Sequence, residues 1–297
     1  MATVNHALGF YVVNDAMFDA SPLPTLVALQ QSPEFEATLK QIGRSPLRLD
    51  DGSLVIRRKF GPMQVNMVTR AQGHCDGTDL TGPTLLAPDH PTPNLRALPL
   101  VSPATVAELD LLPDLETLRK NLKGKWRNRL RHAQSHQVRI TRQNMPTDSK
   151  HWLLQAEQSQ QASHKYRHWP ALLTSAYAKA NTGDAKLFTA HYGTDIVAGL
   201  LILRHGATAT YHIGHTSTAG RILSAQTLLL WSAIAWAKSK DVMRLDLGVI
   251  DTETSPGLAR FKLGTGAQAR KLGGTWLSHR ALAPILGLGR IDRRMMM

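Results

Sequence analysis

The stretch Leu245-Asp-Leu-Gly-Val-Ile-Asp-Thr-Glu-Thr-Ser-Pro-Gly-Leu-Ala-Arg-Phe-Lys-Leu-Gly-Thr-Gly266 joins an apolar strand, a polar loop and a short helix. Residues 242–247 form an apolar run of strand length that must be buried. Asp246, Gly248 and Asp251 interrupt it, and a short helix over 257–264 is bounded by glycines. A buried strand ending in such a loop presents polar groups at a cleft on a rigid support. Asp246 and Asp251 are therefore candidates for orienting that cleft. Phe261-Lys262 is the leading candidate pair, because a lysine in that place stabilises an oxyanion or neutralises a phosphate, and Arg260 beside it adds a second cation.

Upstream, residues 186–192 and 196–204 flank Gly193-Thr194-Asp195 as a hairpin, and a further strand over 207–214 follows His205-Gly206. Residues 222–238 read as one strongly apolar helix. Ser224, Gln226, Thr227 and Ser232 interrupt a run already shorter than the roughly 20 apolar residues of a membrane span, so the helix belongs in a protein core. A last strand is expected near 274–277, which completes an α+β order of elements.

The segment Tyr211-His-Ile-Gly-His-Thr-Ser-Thr-Ala-Gly-Arg221 lies between the strands and that helix. Strict alternation puts His212 and Gly214 on one side of the strand and Tyr211, Ile213 and His215 on the other, which argues against a joint metal site. His212 remains a candidate general base or a hydrogen-bonding group lining a cleft. Gly220 resembles a phosphate-cradling loop with Arg221 as an anion contact. The segment lacks the Arg/Gln-x-x-Gly-x-Gly/Ala pattern that holds a coenzyme A pyrophosphate on successive amides, so no acetyl-CoA cofactor is expected.

Residues Leu115, Leu118, Leu122, Trp126, Leu130 and Ala133 recur at three or four positions and predict one amphipathic helix of about five turns. Seven cations fall within the thirteen residues from Arg119 to Arg131. Lys123, Arg127 and Arg131 form a row at i, i+4 and i+8 that either tracks phosphates or is a solvated helix face, while Trp126, in the leucine stripe, offers either a core anchor or a stacking plane. A strand over 138–140 and helices over 151–164 and 170–181 connect this helix to the hairpin.

The N-terminal third is organised differently. Ser32-Pro33-Glu34 caps a helix that Gly43 closes, and residues 47–49 and 54–56 flank an Asp51-Gly52 turn, with a third strand over 64–69. Prolines 83, 88, 91, 93, 99 and 103 then impose irregular chain with short extended pieces. The domains are drawn as a smaller one over 1–113 and a C-terminal one over 114–297.

The charge follows that division. Residues 1–114 carry 8 basic and 12 acidic side chains, net −4, and residues 115–297 carry 27 and 10, net +17. So uneven a distribution points to a polyanion for the C-terminal part, whether tRNA, nucleotide, cell-wall precursor or a phospholipid surface touched peripherally. A single Cys75 excludes a disulfide scaffold, and the first Lys or Arg is Lys40, too late for a signal peptide; the expected setting is cytoplasmic.

Three segments carry a family resemblance: Lys125-Trp-Arg-Asn-Arg-Leu-Arg-His-Ala133, the strand end Leu245-Asp-Leu-Gly248 with Asp251, and Gly257-Leu-Ala-Arg-Phe-Lys-Leu-Gly-Thr-Gly266 with Gly274-Thr-Trp276. Over roughly residues 114–280 the chain resembles the Fem-type peptidoglycan-bridge aminoacyltransferases and their bacterial GNAT-like relatives. The resemblance implies two GNAT-like acyltransferase domains, here with a shortened N-terminal one. It implies transfer of an amino acid from aminoacyl-tRNA to an amine of a peptidoglycan precursor or another small acceptor, with no metal. By position, Phe261 and Lys262 would act at the tRNA acceptor end. The chain departs from its relatives at Val249, where a second glycine is common, and in lacking a heptad-rich helical hairpin.

The implied chemistry is aminolysis of an ester, which needs alignment and oxyanion stabilisation more than a protein nucleophile. Two other readings share the scaffold: an N-acyltransferase fed by acyl-CoA or an acyl carrier protein, and a catalytically silent tRNA- or RNA-binding module.

Overall fold

A computed structural model of the chain describes residues 26–282 apart from 73–76, 78, 79, 94 and 165. Cys75 and the tail from Arg290 to Met297 lie outside the described residues. Helix α1 (Pro33–Gln41) starts as its sequence requires: the Ser32 hydroxyl accepts the Phe35 amide at 3.1 Å, and Pro33 sits in the first turn, where an amide would have no partner. Strands β1 (Leu47–Arg48), β2 (Leu54–Phe60) and β3 (Met63–Ala71) form the expected antiparallel series. The proline-rich stretch yields two short strands, β4 (Thr84–Pro88) and β5 (Leu98–Val101), and is followed by β6 (Thr105–Asp110).

Two helices, α2 (Leu115–Asn121) and α3 (Gly124–Gln134), replace the single helix expected there. Leu122 and Lys123 are extended at ψ 134° and 147°, and the Lys123 amide donates to the Gly264 carbonyl at 2.9 Å. That tertiary hydrogen bond, with Gly124 restarting the helix, breaks the run. The apolar stripe survives the break, with Leu118, Leu122, Trp126, Leu130 and Ala133 all buried.

The chain continues through β7 (Val138–Asn144), α4 (Trp152–His164), α5 (Ala171–Ala180), β8 (Ala185–Tyr192), β9 (Asp195–His205) and β10 (Thr208–Thr216). Helices α6 (Thr218–Ile222) and α7 (Ala225–Lys238) then replace the one helix expected over 222–238, because Ser224 adopts a left-handed conformation at φ 53° between them. The remaining elements are β11 (Arg244–Ile250), α8 (Pro256–Leu263), β12 (Gln268–Lys271) and β13 (Thr275–Ser278). Nothing in the Gln268-Ala-Arg-Lys271 sequence alternates in polarity, so β12 left no trace in the pattern.

The strands form two mixed sheets, one in the order β1-β2-β3-β4-β13-β5 and one in the order β12-β6-β11-β10-β9-β8-β7. The sheets exchange strands across the sequence boundary at Asp114: β6 precedes it yet lies inside the second sheet, and β13 returns to the first. One face of the second sheet packs on α3 and α7 through Leu130, Leu229, Leu230 and Trp236, and the other packs on α4 and α5 through Leu153, Leu154 and Tyr177. Strand β9 is buried continuously from Val197 to Leu203 because both faces are covered. No helix among the described residues is long and apolar enough to cross a membrane.

Candidate active site

The site begins where the second sheet opens. Parallel strands β10 and β11 pair only from Thr208–Arg244 to Thr210–Asp246, although both run on, to Thr216 and Ile250. Each strand is bulged just past the last pair, β10 between Tyr211 and Ile213 against β9, and β11 between Asp246 and Val249 against β6. A bulge bends its strand and turns it away from its neighbour. Two at the same level make the strands diverge beyond Thr210 and Asp246.

Lys262 lies at this opening. It is 6% exposed, and its Nζ donates to the Val249 carbonyl on β11 at 2.8 Å. Burial pulls its pKa down to about 8, against the upward pull of the Asp246 carboxylate. Gly248, at φ 77°, forms the bend under it, and a Cβ there would stand 3.6 Å from Nζ in a conformation that side chains avoid.

Asp246 is 5% exposed and serves two partners. Oδ1 accepts the Gly248 amide at 2.7 Å, which holds the bend, and Oδ2 meets Arg70 at 3.1 Å. Arg70, itself left-handed at φ 59°, also pairs with Asp89 just past β4 of the first sheet, while Arg270 meets Glu108 through two nitrogens at 2.6 and 2.9 Å and Asp89 at 3.2 Å. These charges tie the two sheets together behind the opening. Burial pulls the pKa of Asp89 and Glu108 up, but the surrounding guanidinium groups outweigh it and hold both below the ordinary carboxylate range.

Asp251 stands elsewhere. It is exposed, and its carboxylate accepts the Glu253 and Thr254 amides at 2.8 and 3.0 Å, closing its own loop. Phe261 faces away from Lys262, toward the α3 side of the sheet, with its ring 6.3 Å from that of Trp126. The Trp126 indole N–H donates to the Phe261 carbonyl at 3.1 Å, and Gly264 leaves room for the same indole, since a Cβ there would fall 2.6 Å from Trp126 Cδ1. Trp126 is thus core, and it locks α3 to α8. That contact puts the exposed Lys123, Arg127 and Arg131 on the helix beside α8, whose own Arg260 is exposed. The break before Gly124 takes Lys123 out of the helical row, leaving Arg127 and Arg131 one turn apart.

The β10 bulge overturns strict alternation around His212. Tyr211 and Gly214 face α7, where the Tyr211 hydroxyl accepts from Gln226 at 3.0 Å, whereas His212, Ile213 and His215 all face α4 and α5. His212 is 7% exposed; its Nε2 is 2.9 Å from the Thr174 hydroxyl, and its ring lies 4.5 Å from His168 and 4.8 Å from Trp169. Burial and His168 push its pKa well below the ordinary value. His212 therefore lies behind His168 instead of at an open wall.

His168, with Glu157 and Tyr166, is the group that sequence reasoning missed. Glu157 is 6% exposed, accepts from the Tyr166 hydroxyl at 2.9 Å and lies 3.4 Å from His168 Nδ1. Burial raises the Glu157 pKa. Burial first, and then the charge of Lys262, lower that of His168 to about 4. The signal was the aromatic and basic run Tyr166-Arg-His-Trp169 between two helices, a composition unusual for a plain connection.

Gly220 is no phosphate cradle. It lies in α6, where a Cβ would fall 2.2 Å from the Val197 carbonyl, and its amide is taken by the Ser217 hydroxyl at 3.1 Å. Arg221 beside it is exposed. No group of three or more His, Cys, Asp or Glu among the described residues is arranged to hold a metal.

Comparison with known proteins agrees with this architecture. The family model described as an acetyltransferase (GNAT) domain matches residues 117–267. Among solved structures, FemX superposes with a TM-score of 0.65 at 12% identity, over 84% of this chain and 92% of FemX. The L-PGS of Bacillus licheniformis superposes at 0.51 and 14% identity, over 86% and 96%. The C-terminal domain of a putative lysylphosphatidylglycerol synthetase from Agrobacterium fabrum gives 0.51 and 11%, over 87% and 92%. At these identities the likeness is one of fold. No curated protein sequence matches the chain.

Proposed function

This chain belongs to the acetyltransferase (GNAT) domain family and is an acyltransferase, and from that premise we propose that it moves an aminoacyl group from aminoacyl-tRNA to an amine of a peptidoglycan precursor or another small acceptor. The observation that carries the reading is Lys262: a buried ammonium on the Val249 carbonyl, where β10 and β11 part, on the helix α8 that Trp126 locks to the cationic α3. Lys262 stabilises the tetrahedral oxyanion or the departing ribose oxygen. Its own pKa of about 8 suits a group that also gives a proton to that oxygen. Phe261 holds α8 against Trp126 and, being only partly buried, also packs against the terminal adenosine. Asp246 positions the bend beneath Lys262, while Arg127, Arg131, Lys123, Arg260 and Arg221 supply phosphate contacts.

The family description favours a second reading, N-acyl transfer from acyl-CoA or an acyl carrier protein. The engagement of the Gly220 amide within its own helix speaks against the pyrophosphate contact that a coenzyme A donor makes in that loop. The test is incubation with charged tRNA pools and peptidoglycan precursors, followed by mass spectrometry for an added residue. Transfer with tRNA and none with acyl-CoA supports the first reading. The reverse, or full tRNA-dependent transfer by Lys262→Met, overturns it.

A further inference from the structure

The Glu157–Tyr166–His168 cluster, in which Glu157 is buried, His168 half-buried and Tyr166 exposed, is a group of polar side chains at the opening to which the proposed transfer gives no role. It flanks the same gap as Lys262, from the β10 side where Lys262 is held from the β11 side. His212, two residues past the last β10–β11 pair, stacks on His168, and Val249, just past the β11 bulge, holds Lys262. The His168 backbone is fixed by its amide, which donates to Gln161 Oε1 at 3.1 Å. The ring is 29% exposed, yet its Nδ1 is sealed from solvent with no hydrogen bond, and the nearest carboxylate oxygen is Glu157 Oε1 at 3.4 Å. Among the described residues Nε2 makes no hydrogen bond either, which leaves it available to a ligand.

We propose that Glu157, Tyr166 and His168 form the subsite for the incoming amine, and that His168 is the catalytic residue that takes the amine's proton. The proposal rests on the acyl-transfer reading and adds the subsite that receives the amine, together with the base that activates it. Glu157 attracts an ammonium to the subsite and steadies the imidazolium through Nδ1 once the proton has moved. A gap of 3.4 Å is the loose geometry that closes when substrate binds.

In the transfer, the bound ammonium gives one proton to His168 Nε2, and the lone pair so freed forms the C–N bond at the ester carbonyl, while the C–O bond to ribose breaks with its electron pair going to the ribose oxygen. The proton still surplus on nitrogen after attack passes to solvent, and the ribose oxygen takes a proton from the Lys262 ammonium. Proton exchange with solvent then restores both side chains.

The groups facing His168 agree on its state. Glu157 from α4 and Tyr166 from the connection lie at one edge, His212 from β10 lies under the ring, and Lys262 from α8 stands across the gap. Burial and the Lys262 charge leave the imidazole neutral at pH 7, with a lone pair to use.

The test uses the full chain, with His168→Gln, the isosteric His168→Asn and Glu157→Gln. With the donor and acceptor that the wild type uses, His168→Gln lowers kcat by about 100-fold or more and leaves KM within about threefold. Hydroxylamine, already unprotonated at neutral pH, brings the variant within about tenfold of the wild type with the same nucleophile. Glu157→Gln raises KM for the amine and moves the acid limb of the kcat profile. Wild-type kcat in either His168 variant, or an activity deficit that hydroxylamine does not rescue in a folded variant, overturns the proposal.

A binding measurement separates this result from the donor assignment. Butylammonium, and not butan-1-ol, is expected to shift the His168 ring resonances of the wild type, with binding at least about tenfold weaker in Glu157→Gln. If the wild type transfers nothing from tRNA but shows this selective shift, the donor reading falls and the amine subsite stands. Absence of the shift, or equal shifts with both probes, overturns the subsite whatever the donor.

Discussion

Between the two sheets, Arg70 and Arg270 meet Asp89, Glu108 and Asp246 in a cluster of opposite charges cut off from most solvent, whereas Lys123 just before α3 and Lys125, Arg127 and Arg129 on it face water with no carboxylate in ion-pair range among the described residues. Paired and buried charges hold architecture, because removing one partner strands the other without solvent. Unpaired and exposed charges cost little to keep and little to remove, and their value lies in what they attract. Lys262 belongs to neither set. It is buried like the first and positive like the second, and a carbonyl accepts its hydrogen bond.

That contrast is broken or sharpened by five measurements. The largest effect is expected from Lys262→Met, which lowers transfer by about 100- to 1,000-fold while melting at or above the wild-type temperature, since the substitution removes a cation that burial disfavours. Wild-type transfer would also decline as pH rises through about 8, where Lys262 gives up its charge, and the Met variant would show no such limb.

Glu108→Gln is expected to cost about 3 kcal/mol in urea unfolding by leaving Arg270 with the Asp89 carboxylate, already shared with Arg70, as its one charged partner among the described residues, against about 0.5 kcal/mol or less for Arg127→Ala. Equal costs would erase the distinction between the two sets. The same cluster sets an acid limit. Asp89 and Glu108 have folded pKa values below their ordinary 3.8 and 4.5, so they bind fewer protons folded than unfolded. Their contribution is present above the unfolded values and is lost as pH falls through the folded ones. Thermal melting should therefore drop steeply below about pH 4.5, and less steeply in Glu108→Gln.

Gly264→Ala is expected to cost about 1–3 kcal/mol, because its Cβ would fall 2.6 Å from the Trp126 ring and 2.8 Å from the Arg260 carbonyl. The smallest effect is in salt dependence. Arg127→Ala with Arg131→Ala should flatten the slope of log affinity for tRNA against log salt by about 0.7 for each phosphate no longer neutralised, leaving stability alone.

Much of the fold was legible from local rules. The Ser32-Pro33 start, the Asp51-Gly52 and Gly193-Thr194 hairpins, the buried strand before Gly248 and the apolar stripe through Trp126 each followed from caps, turns and periodicity. The errors share one cause. The helix expected over 115–133 broke because the Lys123 amide bonds to Gly264, more than a hundred residues away. Alternation at His212 failed because the bulge against β9 inserted a residue into the count. Local patterns carry no information about either partner.

The candidate site divides in the same way. Phe261, Lys262 and Asp246 stood out because a strand, a glycine-bearing loop and a short helix were visible in sequence. Asp251 stood out for the same reason, but its carboxylate is used by its own loop. Glu157 and His168 lie on a helix and a connection that nothing in the sequence linked to residue 262.

By itself the sequence determined the order of elements, the residue types at the end of β11, and the separation of a mildly acidic N-terminal part from a strongly basic C-terminal one. Those properties are local or additive, so a linear reading recovers them. Tertiary structure alone decided that β6 and β13 change sheets, that β10 and β11 part after Thr210 and Asp246, and that Lys262 and His168 stand on opposite sides of that gap. These depend on long-range pairing and on bulge geometry, where a shift of one residue sends a side chain to the other face of a sheet.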